Sequence, residues 1–201
     1  DSATLHVLPH WNWEGREGQQ TPVFVYTNYP KAELFVNGRS QGMREKNDST
    51  VMNRYRLMWN ETVYEPGELR VVAYDAAGNP VAEKTVRTAG KPHHLVVTPN
   101  RSEIAADGDD LVYFTVQVAD KDGNIVPTDS REVDFKVSGA GAFEATANGD
   151  PTCLMPFQDP KMKLFSGAAT AIARSGKTPG TLTFKASAKG VKDAVVTIPV
   201  K

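Results

Sequence analysis

The stretch Val112-Tyr113-Phe114-Thr115-Val116-Gln117-Val118, followed by Asp120-Lys121-Asp122-Gly123-Asn124, decides the fold class. Its β-branched and aromatic residues favour a pleated, half-buried strand, the strongest strand signal in the chain. The Asp, Gly and Asn behind it tolerate positive φ or bond their own backbone, and so close it as a hairpin turn. Working outward, Leu95-Val96-Val97-Thr98 precedes this strand, and Val133-Asp134-Phe135-Lys136-Val137 follows with clean alternation. Segments 168–174, 180–188 and 194–200 continue the series.

The N-terminal half has the same texture. Thr4-Leu5-His6-Val7-Leu8 and Val23-Phe24-Val25-Tyr26-Thr27 are strand-like, and Ala32-Glu33-Leu34-Phe35-Val36 runs into Asn37-Gly38. Asn-Gly between two β-prone runs predicts a hairpin, because both central turn residues must take positive φ. A strand is expected over 54–60, a turn at Glu65-Pro66-Gly67-Glu68, a strand from Leu69 to Tyr74, a turn at 75–80 and a returning strand over 81–88. Gly78-Asn79-Pro80-Val81 echoes Gly123-Asn124-Ile125-Val126, a weak sign of either duplication or a shared turn device. Short strands recurring every 8 to 12 residues or so, with no helical periodicity, predict β-sandwiches and no helix. Residues 139–167 look irregular and predict a long loop, of the kind that is functional or serves in docking.

Composition shifts at Ala89-Gly90-Lys91-Pro92, which reads as a linker between domains 1–89 and 90–201. The chain has 201 residues, which suits two domains of about 100 each. A formal net charge of −1 without blocks of one sign argues against nucleic acid as a partner. The single cysteine, Cys153, allows no internal disulfide, and four histidines with one cysteine do not make a zinc site. No apolar run is long enough for a membrane helix, so no membrane insertion is expected. The sequence opens directly on a strand pattern, which suggests a piece of a longer protein.

The ordered series Pro9-His10-Trp11-Asn12-Trp13-Glu14-Gly15, Val25-Tyr26-Thr27-Asn28, 32–42, Trp59-Asn60, Tyr64-Glu65-Pro66-Gly67-Glu68-Leu69 and Thr88-Ala89-Gly90-Lys91-Pro92 resembles one known domain type. It is the immunoglobulin-like domain that follows the catalytic barrel in family 2 glycoside hydrolases, in particular β-galactosidases of Bacteroidetes type. Ala105-Ala106-Asp107-Gly108, Asp122-Gly123-Asn124, Asn148-Gly149-Asp150-Pro151-Thr152 and Phe165-Ser166-Gly167-Ala168-Ala169 resemble the next domain of such enzymes. The resemblance implies an all-β fold of two tandem immunoglobulin-like β-sandwich domains, the second with an invasin-like flavour. It also implies a partner, a TIM barrel upstream in the same polypeptide that cleaves β-glycosides by retention with two glutamates, and a periplasmic or cell-surface location. That chemistry needs two carboxylates about 5 Å apart on a barrel of about 250 residues. No residue here matches the barrel motifs, so no catalytic residue and no cofactor is assigned.

Six side chains remain as candidates to contact carbohydrate or to dock on the barrel: His10, Trp11, Asn12, Trp13, Trp59 and Tyr64. Exposed indoles stack on sugar rings, and His10 and Asn12 can hydrogen-bond hydroxyls. Against this, residues at i and i+2 in a strand share one face, and one face of a sandwich strand is core. Trp11 and Trp13 are therefore expected on one strand face, packed inside or against the barrel. Asp107, Asp109 and Asp110, like Asp120, Asp122 and Asn124, are read as turn residues rather than a calcium site. The function expected is a non-catalytic accessory region; the alternatives are a carbohydrate-binding module and an adhesin-like spacer.

Overall fold

The computed structural model describes residues 3–201. These divide into two compact units, one ending at Thr88 and one spanning Ala89–Lys201. Both are built from antiparallel β-sheets.

The first unit holds β1 (Leu5–Leu8), β2 (Val23–Thr27), β3 (Lys31–Val36), β4 (Arg39–Glu45), α1 (Val51–Tyr55), β5 (Arg56–Trp59), β6 (Glu68–Tyr74) and β7 (Pro80–Arg87). The strands form a three-stranded sheet, β1-β2-β5, and a four-stranded sheet, β4-β3-β6-β7. Alternation decides which face goes inward. Val23 and Val25 of β2 and Leu57 and Trp59 of β5 meet Ala32, Leu34, Val36, Leu69, Val71 and Ala73 of the other sheet in one core. Asn37 and Gly38 join β3 to β4 with φ of 49° and 78°, the two-residue turn that the sequence predicts.

The helix α1 corrects the expectation of no helix, and it delays the strand expected at Arg54 until Arg56. The Thr50 hydroxyl accepts from the Asn53 amide at 3.1 Å and caps the turn, which buries none of its side chains. A single turn held by its cap has no apolar periodicity to announce it.

The second unit holds β8 (His94–Pro99), β9 (Leu111–Ala119), β10 (Glu132–Gly139), β11 (Gly141–Ala147), β12 (Lys161–Lys163), β13 (Ala168–Ser175), β14 (Gly180–Ser187) and β15 (Ala194–Val200). They make the sheets β11-β13-β9-β8 and β12-β10-β14-β15. Phe114 of β9 stacks on Phe184 of β14 across the sandwich, with ring centroids 4.1 Å apart. Strands β11 and β12 lie inside the stretch expected to be irregular. Gly141 to Ala147 is rich in small residues and bulged at Phe143 to Ala145, so its strand signal is weak, and pairing to β13 supplies the order. The loop proper is thus confined to 148–160.

The echo between the halves is one turn built twice. In each, the first Asp amide donates to the Asn carbonyl, at 3.0 Å for Asp75–Asn79 and 2.9 Å for Asp120–Asn124. The Asp carboxylate accepts from the Asn amide at 2.9 Å and from the Asn side chain at 3.0 Å in both. Gly78 and Gly123 sit at φ of 92° and 86°. The turns differ in setting. Asp120 is buried, and its carboxylate also accepts from the Gly90 amide at 2.8 Å, which fastens the start of the unit to the end of β9. The segment after Asn124 pairs back only through a bridge between Ala119 and Ile125 before crossing to the other sheet, so the expected hairpin is a turn without a full returning strand.

Burial of Asp120 disfavours its charge, but the amides of Gly90, Asn124 and Asp122 and the Asn124 side chain overcome this and hold its pKa down at about 2. A depressed carboxylate stabilises the fold above its unfolded pKa of about 3.9 and loses that contribution as pH falls through the folded value. Melting of the second unit is therefore expected to weaken by on the order of 2 kcal/mol between pH 5 and pH 2 through this group. Asp120→Asn should be destabilised at pH 6 and lose much of that acid sensitivity; an unchanged acid profile would remove Asp120 from the account. A second expectation concerns the two cores. Residues 1–88 and 89–201 expressed separately should each unfold cooperatively, as followed by circular dichroism; failure of both while the whole chain melts sharply would show that neither core suffices.

Candidate functional site

The chain leaves β1 at Leu8, makes a cis peptide to Pro9, and runs without regular structure through Trp13. Trp11 and Trp13 are therefore not on a strand and share no strand face, contrary to the spacing argument. Trp11 is 0% exposed and lies in the core of the first unit. Its indole Nε1 donates to the Glu65 carbonyl at 2.9 Å, and the Tyr64 ring meets it edge-on with centroids 5.1 Å apart. The carbonyl of Trp11 accepts from the Tyr64 hydroxyl at 3.5 Å and from the Thr88 hydroxyl. Thr88 in turn accepts from the Gly67 amide at 3.0 Å and donates its own amide to the Gly67 carbonyl at 2.8 Å. One cluster thus binds the segment after β1, the β5–β6 corner and the end of β7.

Trp59 and Tyr64 are each 1% exposed. The Trp59 indole donates to the Gly42 carbonyl at 2.9 Å, which ties β5 of one sheet to β4 of the other. A sugar ring needs an open aromatic face, and Trp11, Trp59 and Tyr64 offer none. The structure therefore takes these three out of direct carbohydrate contact and into the interior, because their large apolar area is worth more buried.

His10, Asn12 and Trp13 stay partly exposed. The His10 ring stacks on Trp13 with centroids 4.4 Å apart, and the Arg16 guanidinium lies 5.5 Å from the centre of the Trp13 ring. His10 Nδ1 accepts from the Asn12 amide at 3.2 Å, and burial pushes the imidazole pKa down, favouring the neutral ring. Trp13 packs against the core and already has ring partners, so it is a bracket at the mouth of the Trp11 cluster more than a free platform. Sequence reasoning missed Thr88, whose hydroxyl reaches the Trp11 carbonyl, and Gly67, which holds Thr88 through backbone atoms. Trp11 itself is engaged at its carbonyl and, through its indole, at the Glu65 carbonyl, and backbone partners leave no signature in residue type.

The acidic clusters are spent on the backbone. Asp107 accepts from the Asp109 and Asp110 amides at 2.8 Å, and Asp110 accepts from Ala105 and Leu111 at 2.9 Å. Among the described residues, no group of three or more His, Cys, Asp or Glu side chains is placed to hold a metal ion. Cys153 is half-buried, with its thiol 3.9 Å from the Met162 sulfur.

Removing a buried indole with its hydrogen bond is costly. Trp11→Ala is expected to destabilise the first unit by about 3–5 kcal/mol, and Trp13→Ala by clearly less. Chemical denaturation of both variants checks the order, and a Trp11→Ala protein as stable as the parent would remove Trp11 from the core account.

A model for "Glycoside hydrolase family 2 C-terminal domain 5" matches residues 95–197, and one for a domain of unknown function, DUF4982, matches 18–82. The β-galactosidase BoGH2A of Bacteroides ovatus is 38% identical over 199 residues, which is 98% of this chain and 22% of that protein. A β-glycosidase from Bacteroides vulgatus superposes over 100% of this chain and 25% of its own, with a TM-score of 0.89 at 28% identity. A family 2 glycosyl hydrolase from Bacteroides cellulosilyticus covers 96% of this chain with 24% of its own, at TM-score 0.84 and 34% identity. The chain spans about a quarter or less of the length of these relatives. The chain belongs to glycoside hydrolase family 2, as a short C-terminal region of such proteins.

Proposed function

We propose that this chain is the non-catalytic accessory region of a secreted β-galactosidase-like glycoside hydrolase, whose catalytic barrel precedes it in the same polypeptide. It supports the barrel and shapes the approach to the substrate cleft, and the parent works in carbohydrate breakdown in the periplasm or at the cell surface. The observation that carries this reading is the alignment with family 2 relatives over 98% of the chain but 22% of the relative. The location is taken over from the family resemblance.

The acid–base state of the chain supports the same reading. Retaining hydrolysis needs a carboxylic acid with a raised pKa beside a carboxylate nucleophile. Every described carboxylate with a displaced pKa is displaced downward, Asp107, Asp110, Asp120, Asp129 and Glu144 among them. Such groups stay ionised and bonded, and they serve as turn anchors and ion pairs. Glu144, for example, holds Arg174 through two contacts of 2.8 and 2.9 Å.

The purified chain is expected to turn over no chromogenic β-galactoside, β-glucuronide or β-mannoside, whereas the full-length polypeptide hydrolyses at least one. Deleting this region from the full-length protein should lower its thermal stability. Turnover by the chain alone that vanishes when one of its own Asp or Glu residues is replaced would overturn the proposal.

A further inference from the structure

An antiparallel sheet that covers a core on one side ordinarily carries polar residues on the other. The four-stranded sheet of the first unit obeys this. On its outer face Arg70 pairs with Glu83 at 3.1 Å and Arg87 with Glu68 at 2.6 Å, and Arg70 lies over the Phe35 ring. The three-stranded sheet departs from it in one row. Its register puts Leu8 beside Phe24 and Phe24 beside Met58, so one outward row is entirely apolar. The next row is His6, Tyr26 and Arg56. Arg56 lies flat, its guanidinium 4.8 Å from the centre of the Phe24 ring and its Nη1 donating to the Tyr26 hydroxyl at 3.0 Å. Its Nη2 reaches the Met52 sulfur, which extends the surface onto α1. Leu8 and Met52 are 41% and 54% exposed.

We propose that the outer face of β1-β2-β5, extended by Met52, docks against the polypeptide that precedes this region in its glycoside hydrolase parent. The proposal rests on the reading of the chain as an accessory region and adds the surface through which it is held. Three observations select this occupant. The matched relatives are several times longer than this chain, and the matched family model is that of a C-terminal domain, so their remaining length precedes the equivalent region. That polypeptide arrives at this very sheet, because β1 is its edge strand and the Thr4 amide, just ahead of β1, is bonded to the Asn28 side chain at 2.9 Å. Covalent attachment beside the face raises the local concentration of the incoming domain to the millimolar range, about what a small apolar patch needs to stay covered. The Trp11–Trp13 segment lies beyond the far end of β1 from this entry, which makes it the less suited of the two places for docking.

The test is thiol labelling on a Cys153→Ser background. Leu8→Cys and Met52→Cys are made separately in the 201-residue chain and in the full-length polypeptide, with Glu83→Cys on the other sheet as the control. Maleimide modification is followed by mass spectrometry of the labelled peptide. At Leu8 and Met52 it is expected to be about tenfold or more slower in the full-length protein, and at Glu83 equal in both. Equal rates at Leu8 and Met52 would overturn the proposal. So would slowing in the 201-residue chain that grows with its concentration, which would assign the face to a second copy, or slowing on addition of galacto-oligosaccharide, which would assign it to sugar. The readout does not depend on turnover. A covered face in a full-length protein without glycosidase activity would sink the accessory-region reading and keep the docking face; an open face in an active protein would sink the docking face alone.

Discussion

The Trp11 indole, sealed between two sheets with its one donor bonded to the Glu65 carbonyl, is the interaction on which the first unit depends. With no disulfide available to this chain, the ends of the sandwich must be closed by side chains. Trp11 does this by meeting Tyr64 edge-on, while its backbone carbonyl collects the hydroxyls of Tyr64 and Thr88. Segments 54 and 77 residues away in sequence are thereby held at one point. Such contacts are slow to form, since loops must close before they reward the chain, but once made they fix the register of everything between them.

The functional consequence is that the residues with the strongest look of a ligand platform are structural. An aromatic ring cannot both fill a core and stack on a sugar. Trp11, Trp59 and Tyr64 fill the core, and Trp13 leans against it under His10 and Arg16. What the first unit presents outward is instead one sheet face crossed by ion pairs and one face with an apolar row.

The two Asp-to-Asn turns show how context sets the role of identical chemistry. Asp75 and Asp120 receive matching hydrogen bonds from Asn79 and Asn124. The first closes a β-hairpin in water, whereas the second is buried and reaches one further donor, Gly90. That added bond, made where water does not compete, turns an ordinary turn residue into the anchor for the start of the second unit.

Most of the strands, the Asn37-Gly38 hairpin and the sandwich class were legible in the sequence alone, because period-two alternation and turn chemistry are local properties that need no distant partner. It also carried the family, through the order of many weak motifs. It did not reveal α1, which depends on a single cap at Thr50, nor β11, whose small residues take their conformation from pairing with β13. The candidate site was legible as a set of aromatic residues but not as a role. Whether Trp11 faces a core or a solvent-filled cleft is fixed by the Glu65 carbonyl and by the Thr88 hydroxyl, itself held by the Gly67 amide, and these partners are far away in sequence and partly backbone atoms that residue types do not encode. The row Leu8, Phe24 and Met58 was likewise invisible, since each residue is unremarkable in its own strand. Only the registers of β1 on β2 and β2 on β5 set them side by side, and side-chain adjacency across strands is a property of tertiary pairing.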